Sequence, residues 1–255
     1  MKKTLMAGAA VAALTLGALP ATAADIGNQP VYKAPVAVPV VYNWTGFYVG
    51  GNIGYGWGSE DWTQTFSSAA LPLDRSGTSS NVNGFLGGAQ AGFNWQAGQW
   101  VFGVEGDWSW TNADGCSGHV VFPAYGGCTN ANWYATVTGR AGVAWDRTLL
   151  YGKGGVAFAD ESHFITFNGV QTTNGPSDTR TGWTVGAGME YAFWDNWSVK
   201  LEYNFMDFGK DNSLFTYTAN PAGLSERWNI DQTVNVVKLG VNYRFNWGAP
   251  VVAKY

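Results

Sequence analysis

The sequence predicts an all-β protein: an eight-stranded antiparallel transmembrane β-barrel with short turns at one end and four long loops at the other. Three observations carry this reading. Apolar and polar residues alternate with a period of two in eight segments. Over the last of these, Val237, Leu239, Val241, Tyr243 and Phe245 are interleaved with Lys238, Gly240, Asn242 and Arg244. Successive side chains on a strand point to opposite faces, so such a segment has one greasy and one polar face. The connections between segments alternate between short and long. The composition, with 35 Gly, 14 Trp, 12 Tyr and 14 Phe and only 13% charged residues, favours closely spaced strands over helices.

The N-terminus has a different character. Lys2 and Lys3 precede an apolar run from Leu5 to Leu19, followed by Pro20 and Ala21-Thr22-Ala23. A basic start, a short apolar stretch and an A-x-A site predict a secretory signal peptide over residues 1–23. The run is too short to span a membrane as a helix, and no later stretch reaches the roughly 20 apolar residues a span needs. Removing it leaves 12 Lys and Arg against 18 Asp and Glu, a net charge of −6, which argues against a nucleic-acid partner. Residues 24–43, with Pro30, Pro35 and Pro39, read as an extended periplasmic leader.

The first strand is expected from near Trp44, with Phe47, Val49, Gly51, Ile53, Tyr55 and Trp57 on one face and Tyr48, Gly50, Asn52, Gly54 and Gly56 on the other. The glycines do not form a phosphate-binding loop, because the alternation persists through them and no amphipathic helix follows. The second strand, Val82 to Trp95, sets Phe85, Ala89, Ala91 and Phe93 against Gly88, Gln90, Gly92 and Asn94. The third, Trp100 to Trp110, sets Phe102, Val104 and Trp108 against Glu105, Asp107 and Ser109. The fourth, Trp133 to Trp145, places Val137, Ala141 and Val143 outside and Thr136, Thr138 and Arg140 inside. The fifth runs to about Ala159, with Leu150, Val156 and Phe158 opposite Lys153, Gly155 and Ala157. The sixth, Thr181 to Phe193, opposes Trp183, Val185, Met189 and Tyr191 to Thr184 and Glu190. The seventh, Trp197 to Phe208, opposes Val199, Leu201, Tyr203 and Phe205 to Lys200, Glu202 and Asn204.

Short turns fall at 96–99, 146–148 and 195–196, and long polar connections at 59–81, 111–131, 160–180 and 209–230. That segregation is the pattern of a transmembrane barrel with both ends on the periplasmic side. Trp44, Trp57, Trp95, Trp100, Trp108, Trp110, Trp133, Trp145, Trp183, Trp194 and Trp197 sit at strand ends, where amphipathic rings suit the membrane interfaces.

Residues 44–245 resemble the small barrels of the outer-membrane-protein-A-like superfamily, and within it the outer-membrane immunogenic "porin family" proteins. The resemblance rests on Trp44-Thr45-Gly46-Phe47-Tyr48-Val49-Gly50-Gly51, Thr136-Val137-Thr138-Gly139-Arg140 and Lys238-Leu239-Gly240-Val241-Asn242-Tyr243-Arg244-Phe245. It implies a bacterial outer-membrane location, contact with outer-membrane lipid and lipopolysaccharide, and a barrel-assembly machinery that reads a C-terminal strand closing on an aromatic. Val237, Leu239, Val241, Tyr243 and Phe245 resemble that assembly signal. Such barrels often stop at the aromatic, whereas here a tail, Asn246 to Tyr255, continues past it, so either Phe245 or Tyr255 is the residue read. Pro250 argues against a further ladder strand.

On the inner faces the charges nearly balance. Glu105, Asp107, Glu190 and Glu202 stand against Arg140, Lys153, Lys200 and Lys238, with Arg244 at the end of the row. An eight-stranded barrel is just wide enough to be filled by its own side chains, and an unpaired buried charge costs several kcal/mol. The expectation is a plugged lumen crossed by salt bridges, which makes these carboxylates structural and not catalytic. Cys116 and Cys128, the two cysteines of an exported chain, are expected to pair. His119 and His163 fall in the outer connections and are expected to be solvated. A Ser162/His163/Glu161 hydrolase fails because neighbours on an extended chain point apart, and two loop histidines make a poor metal or haem site. Asn43-Trp44-Thr45 is read as a chance glycosylation match. The functional expectation is a structural, surface-presenting barrel with no cofactor and at most a narrow solute path. A small-solute porin is the alternative; an enzyme or a haem- or metal-capturing receptor ranks below both. No partner for the surface loops can be named from the sequence.

Overall fold

A computed structural model of the protein describes residues 42–67, 78–118, 125–174, 177–217 and 225–245. The expected signal peptide, nearly all of the expected leader, the tail with Pro250 and Tyr255, and His119 lie outside the described residues. In chain order the strands are β1 (Gly46–Ser67), β2 (Thr78–Ala97), β3 (Trp100–Thr111), β4 (Asp114–Gly118), β5 (Tyr125–Trp145), β6 (Thr148–Phe167), β7 (Val170–Gln171), β8 (Thr173–Asn174), β9 (Ser177–Ala192), β10 (Trp197–Tyr217) and β11 (Ser225–Phe245). No described helix is long and apolar enough to cross a membrane.

Antiparallel pairing runs β1–β2–β3–β5–β6–β9–β10–β11 and closes through β11–β1, a ring of eight. Closure leaves no sheet edge, which a backbone in lipid requires. Strand β4 continues the position of β3 after a break at Asn112 and Ala113, pairing with both β2 and β5. The turns use residues that tolerate positive φ: Gly98, Asp146, and the pair Asn168-Gly169 between β6 and β7.

The two faces separate cleanly. Phe47, Val49, Ile53, Tyr55 and Trp57 of β1 and Val237, Leu239, Val241 and Phe245 of β11 are exposed on the outside. Spans of about 9–11 residues match one tilted crossing of the hydrocarbon. The positions between them face the lumen. Trp44 departs from its expected interface position. It is buried, and with Tyr42, Val101, Leu149 and Tyr151 it packs the periplasmic mouth. Its backbone N–H donates to Gln96 Oε1 at 2.6 Å, which ties the chain entry to the β2–β3 turn.

The strands run well past the apolar belt. Most residues of the stretches read as long outer connections continue the ladder, so β1 has 22 residues and β5, β10 and β11 have 21 each. Bulges at Thr65, Asn132 and Phe208 interrupt the register in this upper part. Cys116 and Cys128 face each other across β4 and β5 and form a disulfide.

The lumen is filled in layers, legible along β11. Lys238 is followed by Val236 and Val234, then Gln232, then Ile230 and Trp228, all buried. Around the ring these positions join a charged layer, an apolar layer (Leu86, Ala157, Met206, Phe208, Val234 and Val236 among others), an upper polar layer and an apolar cap of Trp62, Ile165, Phe215, Trp228 and Ile230.

Candidate functional site

The charged layer is where the sequence-predicted residues converge. Glu105 of β3 is its hub. Its carboxylate accepts from Lys153 Nζ at 2.9 Å, from Lys200 Nζ at 3.1 Å to each oxygen, and from Tyr48 Oη at 2.8 Å, and Arg140 lies 3.5 Å away. Lys153 and Lys200 both reach Glu202, at 2.8 and 3.3 Å. Arg140 donates to Glu190 at 3.3 Å and to Asn94 Oδ1 at 2.8 Å. Lys238 pairs with Asp107, which also accepts from Asn52 at 2.9 Å. Four carboxylates thus meet four cations, all with little or no exposure. Arg244 stands at the edge of this set and feels the charge of Glu190. It lies at the periplasmic mouth, 4.3 Å over the Tyr42 ring, and donates to the Asp195 carbonyl.

Strand geometry explains why these groups meet. Arg140 and Lys153 are directly cross-paired on β5 and β6, as are Lys200 and Glu190 on β9 and β10, and Glu202 and Lys238 on β10 and β11. Long side chains at matched height on an eight-stranded ring reach across it. Two tyrosines complete the layer. The Arg140 guanidinium sits 4.8 Å from the Tyr48 ring and 4.9 Å from the Tyr151 ring, between the two. Tyr151 Oη donates to Glu202 at 2.8 Å, as Tyr48 does to Glu105. Each ring lies over a glycine, Tyr48 on Gly92 and Tyr151 on Gly188, where any Cβ would collide with it. Asn204 donates to Glu202 and Asn242 to Glu190, Asn52 donates to Gln90 and Gln90 to Asn242, and Asn94 accepts from Arg140. The alternation in the sequence marks Tyr48 as an inward position and leaves Tyr151 unassigned, and nothing marks either as a partner of Arg140.

The upper polar layer lies above the belt, where outward neighbours such as Ser59, Asp61, Asp160 and Ser162 are polar. It holds Glu60, Thr129, Glu161, His163 and Arg180, all buried. His163 is therefore not solvated: it is part of strand β6, facing the lumen beside Thr129, whose hydroxyl is 2.9 Å from Nδ1. The expectation failed because the strand continues beyond the bilayer. Ser162 is on the opposite face, so no Ser/His/acid group forms. Burial, then the neighbouring Glu60, pushes the Glu161 carboxyl up to about 7, and burial pushes the His163 imidazole down to about 4. Burial also raises Glu60. Among the described residues no cluster of three or more His, Cys, Asp or Glu side chains is arranged to hold a metal ion.

Comparison with known proteins agrees with this architecture. The outer membrane protein beta-barrel domain family matches residues 9–245. The 31 kDa outer-membrane immunogenic protein of Brucella melitensis is 34% identical over 255 residues, covering 96% of this chain and 100% of that protein. The 22 kDa outer membrane protein of Rhizobium leguminosarum bv. viciae is 33% identical over 204 residues, 80% of this chain and 79% of that one. The crystal structure of the outer membrane protein OprG from Pseudomonas aeruginosa superposes with a TM-score of 0.54 at 13% identity, covering 80% of this chain and 98% of OprG, a likeness of fold alone. A closed ring of eight strands, an apolar outer belt and a family match over the whole barrel give one conclusion: the chain belongs to the outer membrane protein β-barrel family and is a bacterial outer-membrane protein.

Proposed function

We propose that this barrel is a structural, surface-presenting component of the outer membrane, closed to solutes and without enzymatic activity. The observation that supports the reading is the filled lumen. Lys200, Glu105 and Glu202 are essentially inaccessible, and an apolar layer lies directly above them. A hydrated ion entering such an interior would have to shed water at buried pairs and then cross side chains that offer no hydrogen bonds. The layer's carboxylates, each within reach of a cation, favour charge pairing over acid/base chemistry. Surface presentation accords with strands that rise well above the belt and with relatives named as immunogenic outer-membrane proteins.

The partners implied are outer-membrane lipid and lipopolysaccharide around the belt, and the barrel-assembly machinery acting on β11 through Val237, Leu239, Val241, Tyr243 and Phe245. A liposome-swelling assay with small neutral solutes tests the closed-lumen reading. Proteoliposomes of the refolded protein should swell no faster than empty ones in arabinose or glycine. Rapid, size-dependent swelling would replace the scaffold with a small-solute porin.

A further inference from the structure

The upper polar layer contains more acid than base. Glu60 and Glu161 are 0% and 1% exposed, and among the described residues the cation of the layer is Arg180. Arg180 touches neither acid directly. It donates to Gln232 Oε1 at 3.0 Å and to the carbonyls of Gly209 and Ile230, and Gln232 Nε2 in turn donates to Glu161 Oε1 at 2.6 Å. Charge neutrality of the layer requires one proton on a carboxyl.

The hydrogen-bond polarity says where it rests. Glu60 Oε2 accepts from Trp62 Nε1 at 3.2 Å, from Ser80 Oγ at 3.4 Å and from Thr129 Oγ1 at 2.6 Å. Trp Nε1 can only donate, and three donors converging on Oε2 favour a charge held there, while Glu60 Oε1 has no hydrogen bond among the described residues. Thr129 has spent its one proton on Glu60, so its oxygen accepts from His163 Nδ1, which fixes the imidazole with Nε2 bare. Nε2 looks at Glu161 Oε2, 3.9 Å away, an oxygen with no hydrogen bond among the described residues. An ionised Oε2 there would be a buried charge without a donor. A proton on Oε2 removes that charge, and Nε2 faces it from 3.9 Å, beyond hydrogen-bond contact. The remaining groups facing this chain are Tyr134, whose hydroxyl donates to Glu161 Oε1 at 3.4 Å, and Asp211 of β10, which acts on His163 through its charge.

We infer that this layer is a pH-sensitive latch: one proton, held on Glu161 facing the His163–Thr129–Glu60 relay, keeps the extracellular part of the barrel closed, and its loss loosens that part without opening the membrane belt. The relay joins β6 and its neighbour β5 to β1 on the opposite side of the ring. Losing the proton places two negative charges against one guanidinium in a buried layer. An acid raised to about 7 stabilises fully below the unfolded carboxyl range, near pH 4.3, and loses that contribution as pH rises through about 7. His163, pushed down to about 4, works in the opposite sense and loses its contribution as pH falls through about 4. Comparison with Glu161→Gln isolates the acid.

The test is amide hydrogen exchange of the full-length protein in detergent micelles, corrected for intrinsic exchange, with infrared detection of protonated carboxyl. Between pH 5 and pH 8, protection at residues 161–165 of the wild type should fall relative to Glu161→Gln by on the order of 100-fold, while residues 150–156 change equally in both. One protonated-carboxyl band should be present in the wild type at pH 6, vanish by pH 8.5, and be absent from Glu161→Gln. If Glu161→Gln does not assemble, Glu60→Gln decides. Removing the neighbouring carboxylate should move the loss of the band to lower pH, and an unmoved band would overturn the relay. A protection ratio that is constant with pH, or a band that survives Glu161→Gln, would also overturn it.

Discussion

Lys200 and Glu105 meet across the full width of the barrel. They stand on β10 and β3, four positions apart in a ring of eight, yet Lys200 Nζ lies 3.1 Å from both carboxylate oxygens. A pair that spans a diameter stands across the path an aqueous column would take. Lys153 reaches the same carboxylate from β6, so Glu105 ties three strands that share no ladder with one another.

The first prediction concerns the strength of this layer. Arg140→Ala removes the cation between Tyr48 and Tyr151 and takes from Glu190 its 3.3 Å salt bridge. Breaking a buried pair costs about 3–5 kcal/mol, against about 0–1 for an exposed one. The urea midpoint of unfolding in detergent should drop clearly. An unchanged midpoint would mean that the pair is solvated.

The second separates the two faces of β11. Leu239→Arg places a charge on the lipid face, at about 2–4 kcal/mol near the midplane. It should block assembly, seen as loss of heat-modifiable gel mobility. Lys238→Gln, facing Asp107 and Ser109, keeps a donor and should still assemble with lowered stability. Equal loss of the folded band in both variants would reverse the assigned orientation.

What could be read from the sequence follows what the bilayer enforces. Lipid demands an apolar outer face, so Leu239 and Lys238, or Val104 and Glu105, declare their sides. Above the belt that demand lapses. Glu60, Trp62 and Gln64 point inward and Asp61 and Thr63 outward, and no contrast marks the difference, so in the sequence this ladder reads as loop and His163 as solvated. Trp44 carries the same aromatic signal whether it meets lipid headgroups or plugs a mouth. Contacts across the lumen depend on the stagger of the ring, which no single strand displays. That is why Tyr48 and Tyr151 were not linked to Arg140.

The third prediction uses the glycine seats. A Cβ at Gly188 would lie 2.6 Å from the Tyr151 ring. Gly188→Ala should push Tyr151 off Glu202 and cost about 1–3 kcal/mol, as overpacking does. Gly139→Ala, open to lipid with nothing within 4 Å of its Cβ, should be nearly silent. Similar unfolding midpoints for the two would remove the seating role of Gly188.

The fourth concerns the disulfide. Cys116 and Cys128 close a segment with a sequence separation of 12, worth about 3 kcal/mol in the chain-entropy account. The bridge lies above the belt, so replacing both cysteines with serine should leave membrane insertion intact while speeding protease cleavage between Cys116 and Cys128. Loss of insertion would make the bridge part of the barrel's own stability.

The claim that most depends on all of this is that the lumen is solid. Single-channel recording of the refolded wild-type protein in planar bilayers tests it most directly, with Arg140→Ala recorded beside it. The account predicts silence or rare small openings in the wild type and a raised conductance in the variant, which loses both a tie and an obstruction. A steady, large conductance in the wild type, unchanged by Arg140→Ala, would contradict it.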